Sequence, residues 1–213
     1  MKIGDKTKQI LLDEACKLFA EKGYYKTTMR NITDAANTNI AAVNYHFGGK
    51  DNLYYEAFKH AEEIENRKLE EIINRESTPK SQLKAILVLR LKGLIQNSHD
   101  SWLLQMFHHE VPNPTFLHET IVKEIMHKQR ARIKILMNIF FDRDLSDAEF
   151  HLVFGCFISP ILHQMGPRHK AKMYKPLFRD KIEQLEPEIR INMIATFALS
   201  GLEGLKKEFK NEK

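Results

Sequence analysis

Asn44, Tyr45 and His46 are the best candidates for chemistry in this chain, three adjacent polar or amphipathic side chains on a short segment, Ile40 to Phe47, that otherwise reads as an apolar helix. An asparagine amide presents a donor and an acceptor side by side, which is the pattern that pairs bidentately with adenine, and a tyrosine brings an aromatic body and a hydroxyl to sugar and phosphate. The methyls of Ala41 and Ala42 are small enough for close approach to a duplex and can touch thymine. Arg30 can reach a base or a phosphate, while Thr28, His46 and Lys50 have the reach to clamp phosphate oxygens, Lys50 with help from the positive end of the helix it begins. Asn39, just before the segment, belongs to the same polar set. The chemistry on offer is hydrogen-bond reading of double-stranded DNA, in which backbone contacts position and base contacts specify.

That chemistry needs a frame, and the flanking residues supply one. Ile32, Ala35 and Ala36 recur at spacings of three and four, the stripe of a short supporting helix that Thr27 or Thr28 can cap. Asn37 stands where the chain must turn sharply with positive φ, a conformation Asn tolerates better than most residues. Asn39 can then cap the next helix, in which Val43 and Phe47 face inward at i and i+4 and Asn44, Tyr45 and His46 face outward. Phe47 is expected to be core, and His46 also admits a purely structural reading. Upstream, a helix from about Thr7 to Lys22 carries Leu11, Leu12, Ala15, Phe19 and Ala20 inward and ends at Gly23.

At these residues the chain resembles the TetR family of bacterial transcriptional regulators. FAEKGYYKTT (Phe19 to Thr28) is similar to that family's end of helix one, and AAVNYHFGGKDNLYYEAF (Ala41 to Phe58) to its recognition helix running into helix four. The resemblance covers roughly the first 55 residues strongly and the remainder only in helicity and length. Asn37 stands where a Gly is usual, Asn39 where a Ser is usual, and Gly48-Gly49 where a more polar cap is usual. Each replacement keeps the required turn or cap. The resemblance implies a fold that is all-α, with an N-terminal helix-turn-helix domain in residues 1–49 and a helical effector-binding and dimerisation domain in residues 50–213.

Composition agrees with this and narrows the alternatives. A chain of 213 residues with 43% hydrophobic content can bury a substantial core, and its net charge of +5 favours a polyanionic partner, with more than half of the excess in residues 1–50. No run of about 18 apolar residues occurs and the N-terminus lacks a signal-peptide core, so the expected location is the cytoplasm. Cys16 and Cys156 sit in apolar helical patterns without metal or redox spacing and are expected to be small core residues. The histidines, His108-His109 and His118 among them, make no transition-metal spacing, and no cofactor fingerprint is present.

The rest of the chain reads as helices. One runs from near Lys50 to about Arg75. Thr78-Pro79 starts another carrying Leu83, Ile86, Leu87, Leu91 and Leu94. Asp100 or Ser101 begins WLLQMFHHE, and Asn113-Pro114 signals a helix to about Phe141. Ser146 to Glu149 form a capping box, stapled by Leu145 and Phe150, for a helix to Met165. An irregular basic stretch, PRHKAKMYKPLFRD, leads to a last helix from about Pro187 to Phe209.

Two faces in this region carry functional expectations. Phe150, Val153, Phe154, Phe157 and Ile161, with Ile191, Ile194, Ala198 and Leu202 on the last helix, are either core or a homodimer interface. The resemblance implies the interface, and a two-fold dimer is what a palindromic operator requires. Trp102, Met106, Phe107, Phe116, Met137 and Phe140, with His109 and His163 as polar anchors, can line a cavity for a small apolar or aromatic effector or can simply fill a core. The expected function is a DNA-binding regulator that represses as a homodimer and is released by that effector. A ligand-independent DNA-binding or adaptor protein is the alternative. An all-α enzyme using His109 and Glu110 is a remote third, since nucleophile elbow, phosphate loop and paired carboxylates are all missing from the sequence.

Overall fold

Every regular element is helical in the computed structural model, which describes residues 3–96, 102–165 and 184–211. In chain order these are α1 (Ile3–Lys26), α2 (Met29–Ala35), α3 (Ile40–Phe47), α4 (Lys50–Arg75), α5 (Pro79–Gln96) and α6 (Trp102–Glu110). Then come α7 (His118–Ile121), a π-helical stretch (Val122–Met126), α8 (His127–Phe141), α9 (Asp147–Met165) and α10 (Pro187–Asn211). Contacts group the chain into two compact units, Met1–Lys68 with Ser101–Gln129, and Leu69–Asp100 with Arg130–Lys213. The whole of the expected helix-turn-helix segment, residues 1–49, lies in the first.

The first unit is built around α1. Its Leu11, Ala15 and Phe19 pack with Ile32 of α2, Val43 and Phe47 of α3, Leu53, Tyr54 and Phe58 of α4, and Leu103 and Met106 of α6. Each large side chain removed from water here contributes about 1.5–3 kcal/mol. The rings of Phe19 and Tyr54 meet edge to face at 4.7 Å, and those of Tyr54 and Phe58 at 5.2 Å. Cys16 is fully buried as expected, its thiol donates to the Ala57 carbonyl at 3.3 Å, and burial pushes its pKa up. Cys156, expected in the core, is exposed.

The helix expected to start at Asn113-Pro114 starts instead at His118. The reason is Glu110, at the end of α6, which is fully buried. Its carboxylate accepts the Thr115 backbone N–H at 2.7 Å, the Thr115 hydroxyl at 2.9 Å and the Tyr54 hydroxyl at 2.8 Å, and His118 Nδ1 stands 3.5 Å away. A buried carboxylate requires such donors, and the loop wraps around it to provide them in place of a first helical turn.

In the second unit α5, α9 and α10 pack on one another. Leu83, Ile86, Leu87, Leu91 and Leu94 of α5 are buried as expected, and Phe141 of α8 meets Phe209 of α10 with ring centroids 5.6 Å apart. Thr78 caps α5, accepting the Ser81 N–H at 3.1 Å. The capping box at α9 forms in both directions, Ser146 N–H to Glu149 at 2.7 Å and Glu149 N–H to Ser146 Oγ at 3.3 Å, with Leu145 and Phe150 buried around it. The basic stretch PRHKAKMYKPLFRD and the proposed caps Asp100 and Ser101 lie outside the described residues.

The residues of α9 and α10 open to two readings, core or interface, are mostly buried within the chain. Phe150, Val153, Phe157 and Ile161, and Ile191, Ala198 and Leu202, are buried in this unit's own core, with Phe154 and Ile194 half-buried beside them. The outward face of the same helices carries Leu152, Gly155, Cys156, Ser159 and Leu162 on α9, and Ile189, Met193 and Phe197 on α10, all exposed. Nearly every position of α9 is apolar or small, so hydrophobic periodicity cannot say which side faces the core.

Candidate nucleic-acid interface

The reading head is set by three short-range devices. Thr28 caps α2 by accepting the Asn31 N–H at 3.1 Å, and the Asn31 side chain in turn accepts the Thr28 N–H at 3.0 Å. Asn37 takes φ 49°, the left-handed turn expected of it. Asn39 caps α3, its side chain accepting the Ala42 N–H at 3.0 Å, and Gly48 closes the helix at φ 74°. Between these caps Val43 and Phe47 are buried under α3, which fixes its rotation. The outer side is then determined: Ala41, Asn44 and Tyr45 are exposed, Tyr45 to 84%, and Ala42 and His46 are half-buried. Among the supporting residues Ile32 is buried as expected, but Ala35 is exposed and Thr33 is buried in its place. Two small residues carried too little apolar surface to settle that face.

The clamp candidates are less uniform. Arg30 is exposed and 3.9 Å from Asp34. The Thr28 hydroxyl proton goes to Asn31 Oδ1 at 2.8 Å, so its contribution near a phosphate would run through the cap rather than through a free donor. Lys50 starts α4, as expected, but its Nζ sits 3.9 Å above the Tyr24 ring, and burial there lowers its pKa while neighbouring Asp51 opposes that shift. Tyr24 donates its hydroxyl to Asp51, and desolvation with that hydrogen bond pushes the phenol up to about 12. In the sequence Tyr24 stands out only as part of the FAEKGYYKTT motif. Its position directly after the helix-breaking Gly23 and one aromatic neighbour, Tyr25, was the available signal.

The expected effector residues divide between the two units. In the first, Met106 is fully buried in the core, Trp102 and Phe107 pack partly buried against it, and Phe116 is exposed in the loop before α7. In the second, Met137 and Phe140 are buried and His163 is exposed. Two clefts have linings drawn from one unit each. One, of about 500 Å³, includes Phe140 with Pro79, Lys80, Lys206 and Lys207. The other, of about 360 Å³, includes His109 with Lys22, Tyr24, Tyr25 and Tyr54. Among the described residues no cluster of His, Cys, Asp and Glu could hold a metal ion.

Comparison with known proteins bears on this geometry. Residues 11–57 match the family model described as bacterial regulatory proteins, tetR family. A probable acrEF/envCD operon repressor of Escherichia coli (strain K12) is 30% identical over 128 residues, which is 57% of this chain and 56% of that protein. The matched stretch thus spans little more than half the length of that curated relative. Among solved structures, the fatty acid degradation regulator FadR from Bacillus halodurans superposes with a TM-score of 0.67 at 15% identity over 91% of this chain and 98% of that one. A TetR-like transcriptional regulator from Rhodococcus sp. RHA1 gives 0.63 at 16% identity, over 93% and 96%. At such identities these structures speak for the fold, while the matched segment is the very one whose caps and burial build the reading head. The chain is thus similar to the TetR family of bacterial regulatory proteins, by sequence over residues 11–57 and by fold over more than nine-tenths of its length.

Proposed function

We propose that this protein is a repressor that binds a palindromic operator as a homodimer and is released by a small-molecule effector, with residues 1–49 as the DNA-binding module. The observation that carries the reading is the rotation of α3: Val43 and Phe47 are anchored inward, so Ala41, Asn44 and Tyr45 project together from one exposed helical face. Asn44 reads adenine, Ala41 and Ala42 meet thymine methyls, and Tyr45, His46, Arg30 and Lys50 hold the backbone, with Asn39 and Thr28 presenting the helix ends. The second copy docks on the outward face of α9 and α10, where the large apolar side chains of Leu152, Leu162, Met193 and Phe197 are exposed. Repression is the role named for the curated relative, and it is carried here by analogy. The site of action is the cytoplasm; no described helix is long and apolar enough to cross a membrane.

A ligand-independent regulator is the second reading, and the complete burial of Met106 and Met137 favours it at those positions, since a filled core leaves an effector no room there. Selection of bound duplexes from a random-sequence pool tests the main reading. A recovered palindrome with half-sites about one helical turn apart supports it, and recovery without any sequence preference refutes it.

A further inference from the structure

Gly23 interrupts α1 at φ 74° and ψ 173°, a conformation open to glycine alone, and the chain after it turns back so that the Thr27 hydroxyl donates to the Gly23 carbonyl at 2.8 Å. His109 of α6 lies against the break. A Cβ at position 23 would stand 3.1 Å from its ring, and its Nε2 is 3.1 Å from the Ala20 carbonyl, so that nitrogen carries the proton. These packings leave the cleft of about 360 Å³, within the size range of small-molecule sites.

We propose that this cleft binds a planar aromatic carboxylate, and that its occupation weakens operator binding through Tyr24. The proposal rests on the DNA-binding reading above for its second half only. The walls are aromatic: Tyr24 and Tyr25 meet edge to face at 5.3 Å, Tyr24 and Tyr54 lie tilted at 4.9 Å, and the exposed ring of Tyr25 offers surface for stacking. The rim is cationic. Lys22 and Lys26 both line the cleft and have no ion-pair partner among the described residues, so a carboxylate gains two charge-assisted hydrogen bonds without displacing an existing pair. Glu110 also lines it, but it is fully buried with its oxygens turned to Tyr54 and Thr115, so the exposed charges of the cleft are the two lysines. An aromatic cation would moreover face the two lysines.

Tyr24 is shared between this cleft and the DNA side. Its ring carries Lys50 and its hydroxyl holds Asp51, both in the first turn of α4 beside the end of α3. A ligand stacked in the cleft turns Tyr24, breaks its hydrogen bond to Asp51 and releases a bare carboxylate next to the phosphate backbone. Like charge there lowers affinity for every duplex.

The experiment titrates the full chain with benzoate, 2-naphthoate, and neutral benzamide, by calorimetry and by displacement of the labelled duplex recovered from the random pool. Benzoate should bind and 2-naphthoate more tightly, with benzamide weaker by about tenfold or more, as expected for loss of the charge-assisted bonds. The two acids should weaken duplex binding about fivefold or more. The Lys22→Gln/Lys26→Gln variant should lose that preference for the acids while still binding the duplex. Tyr24→Phe should still bind benzoate but no longer transmit it to the duplex. Equal binding of benzoate and benzamide, or unchanged benzoate affinity in the double-glutamine variant, overturns the site. Benzoate binding that leaves wild-type duplex affinity untouched overturns the coupling. Failure of the chain to select any duplex removes the DNA-binding reading, and the calorimetric arm still decides the site.

Discussion

Phe197→Ala separates the outward face of α10 from the core face that the sequence first suggests. Phe197 is 78% exposed, so in a monomer its removal costs the fold little. In a two-fold dimer through this face each protomer buries its own Phe197. Complete burial of such a side chain contributes about 1.5–3 kcal/mol, and the exposed share roughly 1–2.5 kcal/mol, so two symmetric copies give roughly 2–5 kcal/mol. That corresponds to a rise of roughly 30- to 3,000-fold in the dimer dissociation constant. The paired control is Phe157→Ala, whose side chain is only 1% exposed: its loss should cost the fold about 3–5 kcal/mol and lower the melting temperature. Sedimentation equilibrium across a concentration series, read beside thermal melts, distinguishes the two. Phe197→Ala should dissociate at concentrations where the wild type is dimeric, with an almost unchanged melt of the separated chain. A wild-type monomer at micromolar concentration, or a Phe197→Ala dimer as tight as the wild type, would falsify the outward-face interface.

Asn44→Ala should weaken binding by about 1–3 kcal/mol at particular operator bases, whereas Lys50→Ala should weaken it on every duplex and reduce the salt slope by about one. A panel of point-mutated operators ranked identically by Asn44→Ala and wild type would end the base-reading role. Gly23→Ala should lower stability by about 1–3 kcal/mol in denaturant titration, because position 23 lies in glycine-only backbone and a Cβ would press on His109, and an unchanged midpoint would contradict that strain. Ser146→Ala tests the α9 cap through pH. The Ser146 hydrogen bonds, seconded by Arg143, hold the Glu149 carboxyl below its usual range, so their stabilisation is complete above the unfolded carboxylate pKa and is lost as pH falls through the lowered folded one. The variant should melt below wild type at neutral pH, and the gap should narrow but persist at about pH 3, where the carboxylate's share is gone while the Glu149 N–H still lacks its Ser146 Oγ acceptor; an unchanged melt at neutral pH would count against the cap.

The reading head was legible because its signals are local. Asn37, Asn39 and Thr28 act on backbone groups two or three residues away, and Val43 with Phe47 fix a helix face by spacing alone. The same holds at Thr78 and at the Ser146–Glu149 box, where the cap chemistry lies within one turn. Ala35 shows the limit of that logic. Its small side chain contributes little burial energy, and the core took Thr33 instead, whose hydroxyl is satisfied by the Arg30 carbonyl at 3.1 Å.

What the sequence concealed depends on partners far along the chain. Asn113-Pro114 carries a valid helix-start signal worth about 1 kcal/mol, yet a buried carboxylate left without donors costs more than that, and Glu110 draws the loop to itself. Nothing within a turn of Glu110 announces Tyr54, 56 positions away, as its other donor. On α9 the difficulty is degeneracy. Apolar and small residues surround the helix, and the choice of inner face was made by α5 and α10 in their own packing, which no single-helix pattern encodes. Lys50 joins both cases. Its place at the start of α4 was readable from the helix boundary, but the ring beneath its ammonium belongs to Tyr24, across the whole helix-turn-helix, so a residue that reads in sequence as a simple phosphate clamp is in the fold also the point at which α1 can act on the DNA side.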